Sequence, residues 1–207
     1  MKSRLPILIL LAAGFSDMLS AQPFYPESGV PFGTSRQAQQ LGPAVILRQG
    51  LRKLMDFAAG ERRPSRTQAE AFLEQEIAPF FDFAYMASWA VGESVWQRMG
   101  DGQRQALEDH IKQDFLTTLA VRMTGFNDQQ VQLSPPRSLA ANEVMVAVSI
   151  LNPQTYPARL NFRFYRAPDG WKIFDVTANG SSAVMHYRNQ FRRMMRERMM
   201  HRQGYRR

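Results

Sequence analysis

In this 207-residue chain the side chains able to do acid–base or metal chemistry are few and scattered. Asp175 stands in an otherwise apolar stretch, where a carboxylate could act as a general base in a cavity or as an acceptor for backbone or tail-helix donors. No two of His110, His186 and His201 are at metal-ligand spacing, and none adjoins a serine in a nucleophile motif. His110 falls on the polar side of a helical repeat and reads as surface. Gly100 and Gly102 lack the lysine and following Ser or Thr of a phosphate-cradling loop. The absence of cysteine excludes thiolate catalysis, disulfides, cysteine metal sites and a lipid-modified cysteine anchor together. Neither a metal site nor a cofactor is expected.

What the chain offers instead is patterned apolar surface. Val144, Val146, Val148 and Ile150 alternate with Met145, Ala147 and Ser149, and Leu160, Phe162 and Phe164 alternate with Asn161, Arg163 and Tyr165. A period of two marks strands with one apolar face. From Phe83 to Trp96 the run of Phe83, Tyr85, Met86, Trp89, Val91, Val95 and Trp96 carries one charge, Glu93, and reads as a short, nearly buried helical stretch. Such residues suit an ordinary core or a dry pocket under a concave sheet, and both readings stand on the residues alone.

These faces need elements to position them. Pro43 suits the first turn of a helix whose apolar side is Val45, Leu47, Leu51, Leu54, Met55 and Ala58, ending at Gly60. A second helix begins near Ser65, with a capping box from Ser65 and Gln68 or from Thr67 and Glu70, and bears Phe72, Ile77, Phe80 and Phe81. After the aromatic stretch, Asp101 can cap a long helix on which Leu107, Ile111, Phe115, Leu119 and Met123 recur every four residues. Strands follow Gly125. Pro168, Asp169 and Gly170 predict a tight turn into a strand from Trp171 to Ala178; Asn179 and Gly180 break it, and Ser181 or Ser182 can cap a final helix with Val184, Tyr187, Phe191 and Met194 on one side. The sum is an α+β domain: N-terminal helices packed on a curved, mainly antiparallel sheet of about four strands, with a C-terminal helix.

The ends differ in character from the body. Lys2 and Arg4 precede an apolar run from Leu5 to Phe15, then Asp17 and the small pair Ser20 and Ala21, which is the layout of a secretory signal peptide over residues 1–21. An uncut N-terminal anchor helix is the alternative. Residues 22–41, rich in Pro and Gly, read as a flexible linker, residues 42–195 as one domain, and residues 196–207 as a basic tail. The formal net charge of +8 sits almost wholly at the end, where Arg188 to Arg207 hold eight arginines and one acid, Glu197. The body is neutral, so no broad basic surface for nucleic acid is implied. The tail, with Arg192, Arg193, Arg196, Arg198 and Arg202 among Met194, Met195, Met199 and Met200, could bind an anionic headgroup, a membrane surface or an acidic partner, or be a solvated helix end.

Two blocks carry a family resemblance. Ile77 to Trp96, IAPFFDFAYMASWAVGESVW, and Gly170 to Phe191, GWKIFDVTANGSSAVMHYRNQF, resemble the MlaC or toluene-tolerance auxiliary family in content, order and separation, with Gln103, Phe115 and Leu119 at the expected spacing between them. Asp175 matches the family aspartate, whereas Gly180-Ser181-Ser182 departs from the family's Gly-Val-Ser and the Arg- and Met-rich tail has no family counterpart. The resemblance implies a nuclear-transport-factor-like fold and a non-enzymatic periplasmic phospholipid carrier. It would be an auxiliary component of an ABC transporter, shuttling lipid between an outer-membrane MlaA–porin complex and an inner-membrane MCE-domain ABC transporter complex to maintain outer-membrane lipid asymmetry. A monomer that binds no nucleic acid is expected. The cargo would rest on Phe83, Met86, Trp89, Phe115, Leu119, Val146, Val148, Ile150, Leu160, Phe162, Phe164 and Val176. Exposing its roughly 30 methylenes would cost on the order of 20 to 25 kcal/mol, so a carrier needs a dry cavity and no catalytic group. The rival readings are an isomerase or hydrolase of the same fold using Asp175, and a basic-tail adaptor for anionic membrane or nucleic acid.

Overall fold

The computed structural model describes residues 42–60, 64–123, 130–152 and 155–204, so the expected signal peptide and linker lie outside the described residues. The first helix, α1 (Pro43–Ala58), starts on its proline, where the missing N–H costs nothing. It buries Ile46, Leu47 and Gly50 and exposes Arg48, Arg52 and Lys53. Helix α2 (Arg66–Phe72) is fixed by the Ser65–Gln68 box: Ser65 Oγ accepts from the Gln68 N–H at 3.2 Å and Gln68 Oε1 accepts from the Ser65 N–H at 2.9 Å. The chain then widens into a π-helical turn, Leu73–Ile77, and tightens into a 3-10 turn, Ala78–Phe80, containing Pro79. Phe81 is extended, and Asp82 caps α3 (Phe83–Val91) by accepting from the Tyr85 N–H at 2.7 Å. Gly92, at φ 88°, splits the aromatic stretch into α3 and the single turn α4 (Glu93–Trp96).

Helix α5 (Asp101–Met123) begins with Asp101 already inside its first turn. Its expected stripe is only partly the buried one: Ile111, Leu116 and Ala120 are buried, with Leu107, Phe115 and Leu119 half-buried beside them. A spacing of four on a helix of 3.6 residues per turn drifts by about 40° per step, so the core face passes from Ile111 to Leu116.

The sheet is antiparallel throughout and follows the order β1–β3–β4–β5–β6, with β2 also on β3. Here β1 is Gln130–Leu133, β2 Arg137–Ala140, β3 Glu143–Asn152, β4 Thr155–Ala167, β5 Gly170–Ala178 and β6 the pair Ser181–Ser182. Strands β1 and β2 lie end to end along one edge of β3, interrupted at Pro135 and Pro136, which have no N–H to give a ladder. About four strands were expected from the sequence; β2 and the short β6 are additional to them. A two-residue turn at Asn179 (φ 47°) and Gly180 (φ 87°), both left-handed, folds β6 back on β5. Ser182 then caps α6 (Ala183–Gly204), its Oγ accepting from the Met185 N–H at 3.2 Å. This helix runs without a break across residue 195, where the tail was expected to begin.

Two apolar clusters result. One, among α2, α3, α5 and α6, centres on Leu73, Ile77, Met86, Ile111 and Leu116; the other, between α1 and the sheet, centres on Ile46, Leu47, Val146, Val148, Phe162, Phe164 and Ile173. Phe164 has no exposed surface. Its replacement by Ala should cost about 3–5 kcal/mol in chemical denaturation, against less than about 0.5 kcal/mol for the exposed Leu139 to Ala.

Candidate functional site

Residues opposite each other on antiparallel strands point to the same side of the sheet. Leu160 faces Val148, Phe162 faces Val146 and Val176, and Phe164 faces Val144 and Ile173. Seven of the sequence-predicted residues, Val146, Val148, Ile150, Leu160, Phe162, Phe164 and Val176, therefore share one apolar face. Ile46, Leu47 and Leu51 of α1 cover it, and Phe80 and Phe81 press on it as well.

The other five are elsewhere. Phe83, Met86, Phe115, Leu119 and Trp89 belong to the helical cluster. Trp89 meets the opposite face of the sheet, with its ring 5.7 Å from Phe174 and the Arg163 guanidinium 5.4 Å from its ring centre. The two sets are joined through Phe80 and Phe81, which touch both clusters. The Phe81 ring stacks on Phe83 at 5.5 Å and lies 5.0 Å from Phe115. Phe81 is the member that sequence reasoning left out. Its signal was the Phe80-Phe81 doublet after Pro79, which reads equally well as a helix stripe.

Beside this junction is a cleft of about 400 Å³. Phe81 and Phe83 form its apolar wall; Glu74, Glu108 and Lys112 flank one side, Asp169 and Lys172 the other. Lys112 pairs with Glu74. Lys172 Nζ lies 3.1 Å from Asp169 Oδ2 and donates to the Pro79 carbonyl at 3.2 Å. The Lys172 contact holds the Asp169 carboxyl below its usual range, and the Glu108 carboxyl is pushed up, first by burial, then by Asp109 and Asp82, against the opposing pull of Lys112. Of the twelve predicted contacts only Phe83 lines this cleft. Its charged rim comes from three separate segments and leaves no local pattern in the sequence.

Two carboxylates fix the frame around it. Asp82 caps α3 through one oxygen and accepts from the Tyr165 hydroxyl through the other. Burial, followed by that hydrogen bond, drives the Tyr165 hydroxyl far above its ordinary pKa. The Tyr165 ring stacks on Tyr85 at 4.0 Å. Asp175, 2% exposed, accepts from Ser182 Oγ at 2.9 and 2.8 Å and from the Val184 N–H at 3.1 Å, and its Oδ2 lies 3.7 Å from Arg163 Nη1. Of the two roles open to Asp175, the geometry is that of the acceptor: it ties β5 to the start of α6 and does not line the cleft. Among the described residues no group of three or more His, Asp or Glu could hold a metal ion.

The crowding at Glu108 has a pH signature. A carboxyl whose native pKa is raised contributes nothing at low pH, where both states are protonated. It costs stability as pH rises through the carboxylate range, where the unfolded chain ionises more readily. Glu108→Gln should therefore raise the thermal midpoint at pH 7, with the two proteins converging near pH 4, as followed by thermal unfolding across that range.

Known proteins place this geometry. The fold is similar to that of a phospholipid-binding protein from Ralstonia solanacearum, solved in complex with a phospholipid, at a TM-score of 0.63 and 24% sequence identity, covering 75% of this chain and 86% of that one. No curated protein is significantly similar in sequence. Residues 51–202 match the model of the family described as MlaC protein, and that span, most of the 207 residues, means that this chain belongs to the MlaC family.

Proposed function

We propose that this protein is a periplasmic phospholipid carrier, a binding protein without catalysis, that shuttles lipid between an outer-membrane MlaA–porin complex and an inner-membrane MCE-domain ABC transporter and so maintains outer-membrane lipid asymmetry. The observation that carries the lipid-binding core of this reading is a continuity of apolar surface. The wall of the cleft, Phe81, belongs at once to the cluster on the sheet face and to the helical cluster. Through Phe81 the cleft wall is in packing contact with the cluster that holds Val146, Val148, Phe162 and Phe164. The similarity to a solved phospholipid complex supports the same reading.

Size defines what binding requires. Roughly 30 methylenes, each taking about the 30 Å³ share of a water molecule, need on the order of 900 Å³. The cleft offers about 400 Å³. Two tails therefore need more room than the cleft gives, and the reading places it between α1 and the sheet, with acyl methylenes taking the places of Ile46, Leu47 and Leu51. Such an exchange of one apolar cover for another is nearly balanced, whereas release of lipid to water is not. Transfer then depends on docking with a donor or acceptor. Periplasmic location is supported by the signal-peptide layout at residues 1–21.

Mass spectrometry of an organic extract of the purified folded protein should show about one phospholipid per chain. The Phe81→Glu variant, which puts a charge on the cleft wall, should carry several-fold less at unchanged circular dichroism. Wild-type protein that yields no phospholipid and takes none from vesicles would contradict the proposal.

A further inference from the structure

The C-terminal helix changes character along its length. Val184 and Tyr187 are buried, and Phe191 and Met195 are half-buried, so the inner stripe of α6 is closed by the body of the protein. On the outer side Met185 is 46% and Met200 65% exposed. Arg192, Arg193 and Arg196 are exposed there too, and none has an ion pair or hydrogen bond among the described residues. At about 100° per residue these five side chains fall within one sector of roughly 100°.

This pattern is poorly suited to water alone. Arg192 and Arg196 stand four apart on one face, a like-charge spacing that weakens an isolated helix. A helix tuned for solubility intersperses acids, but Glu197 is the only acid from Arg188 to Arg207. The acids that reach α6 are taken up at its N-terminal end, Asp175 by Ser182 and Val184, Asp114 by Tyr187. Large exposed methionines between arginines add apolar area that a purely electrostatic partner would leave wet. An anionic bilayer satisfies both at once, with phosphates for the guanidiniums and the acyl boundary for the thioethers. Among the described residues no helix is long and apolar enough to cross a membrane.

We propose that the outer face of α6, through Arg192, Arg193, Arg196, Met185 and Met200, seats this protein on the surface of anionic phospholipid bilayers. The seat is separate from the cleft and does not depend on the cargo, since its residues lie on the side of α6 facing away from both apolar clusters. A basic helix over a phosphate surface gives binding that falls with salt as the charges are screened.

The test is flotation of the full chain with vesicles of phosphatidylglycerol and phosphatidylcholine mixed, against vesicles of phosphatidylcholine alone. At least tenfold stronger partitioning onto the anionic vesicles is expected, lost at 0.5 M salt, which is well beyond the ionic strength at which the screening length falls under about 8 Å. The triple change Arg192→Gln, Arg193→Gln, Arg196→Gln should remove the preference, while Arg48→Gln with Arg52→Gln on α1 leaves it. Met185→Ser with Met200→Ser should weaken binding and keep its salt dependence. Thermal unfolding and lipid loading, unchanged in the triple variant, separate loss of the seat from loss of the fold or of the cargo site. Equal binding to both vesicle types, wild-type partitioning by the triple variant, or capture by an acidic protein with no vesicle binding would overturn the proposal.

Discussion

The apolar face of β3, β4 and β5 cannot be left in water, and the arrangement of the rest of the molecule follows from that. Val146, Val148, Phe162, Phe164 and Ile173 are all buried on it. At about 1.5–3 kcal/mol for each such side chain, its exposure would cost on the order of 10 kcal/mol, comparable to the whole stability of a domain. In this structure α1 supplies the cover through Ile46, Leu47 and Leu51, with Phe80 and Phe81 beside them. Acyl chains offer the same kind of surface. On the proposed function, cargo would replace α1 as the cover of this face, one apolar cover exchanged for another.

The corner from Pro79 to Asp82 joins the two apolar clusters, since Phe80 and Phe81 pack against both. Its backbone is fastened to the sheet through the Phe81–Ile173 bridge and the Asp82 N–H donating to the Ile173 carbonyl at 2.9 Å, and Lys172 donates to the Pro79 carbonyl. Asp82 adds the cap on α3 and the Tyr165 contact. At the other end of β5, Asp175 and Ser182 fasten α6. Carboxylates thus tie α3 and α6 to the sheet, Asp82 through Tyr165 of β4 and Asp175 from within β5, while α1 lies on the sheet face by apolar contact and pairs its Lys53 with Glu76. On the proposed function, α1 is the element that would yield to cargo.

Strand faces and helix ends were legible because their signals are local. The alternation from Val144 to Ile150, the Ser65–Gln68 box and the Asn179-Gly180 break each depend on residues within ten positions of one another, and each appears where it was read. The α+β class followed from them. The division of the proposed contacts into two clusters was not legible. It depends on which side of the sheet α1 and α3 take, and periodicity gives a face without saying what covers it. Likewise Asp82 and Tyr165 are 83 positions apart, and nothing in either neighbourhood announces the pairing. Strand β2 was missed for a different reason: Arg137, Ser138, Leu139 and Ala140 are all exposed, so no burial pattern marked them.

The three tryptophans offer a direct test of where the tails go. Trp171 lies against the cluster on the α1 side of the sheet, and Trp89 packs on the opposite face near Arg163 and Phe174. Fluorescence quenching by a phospholipid brominated on its acyl chains can be compared in two single-tryptophan forms, the other tryptophans being replaced by Phe. Tails lodged between α1 and the sheet should quench Trp171 strongly and Trp89 weakly. Quenching of Trp89 alone, or of neither while lipid is bound, would contradict a cargo site on the apolar face of the sheet.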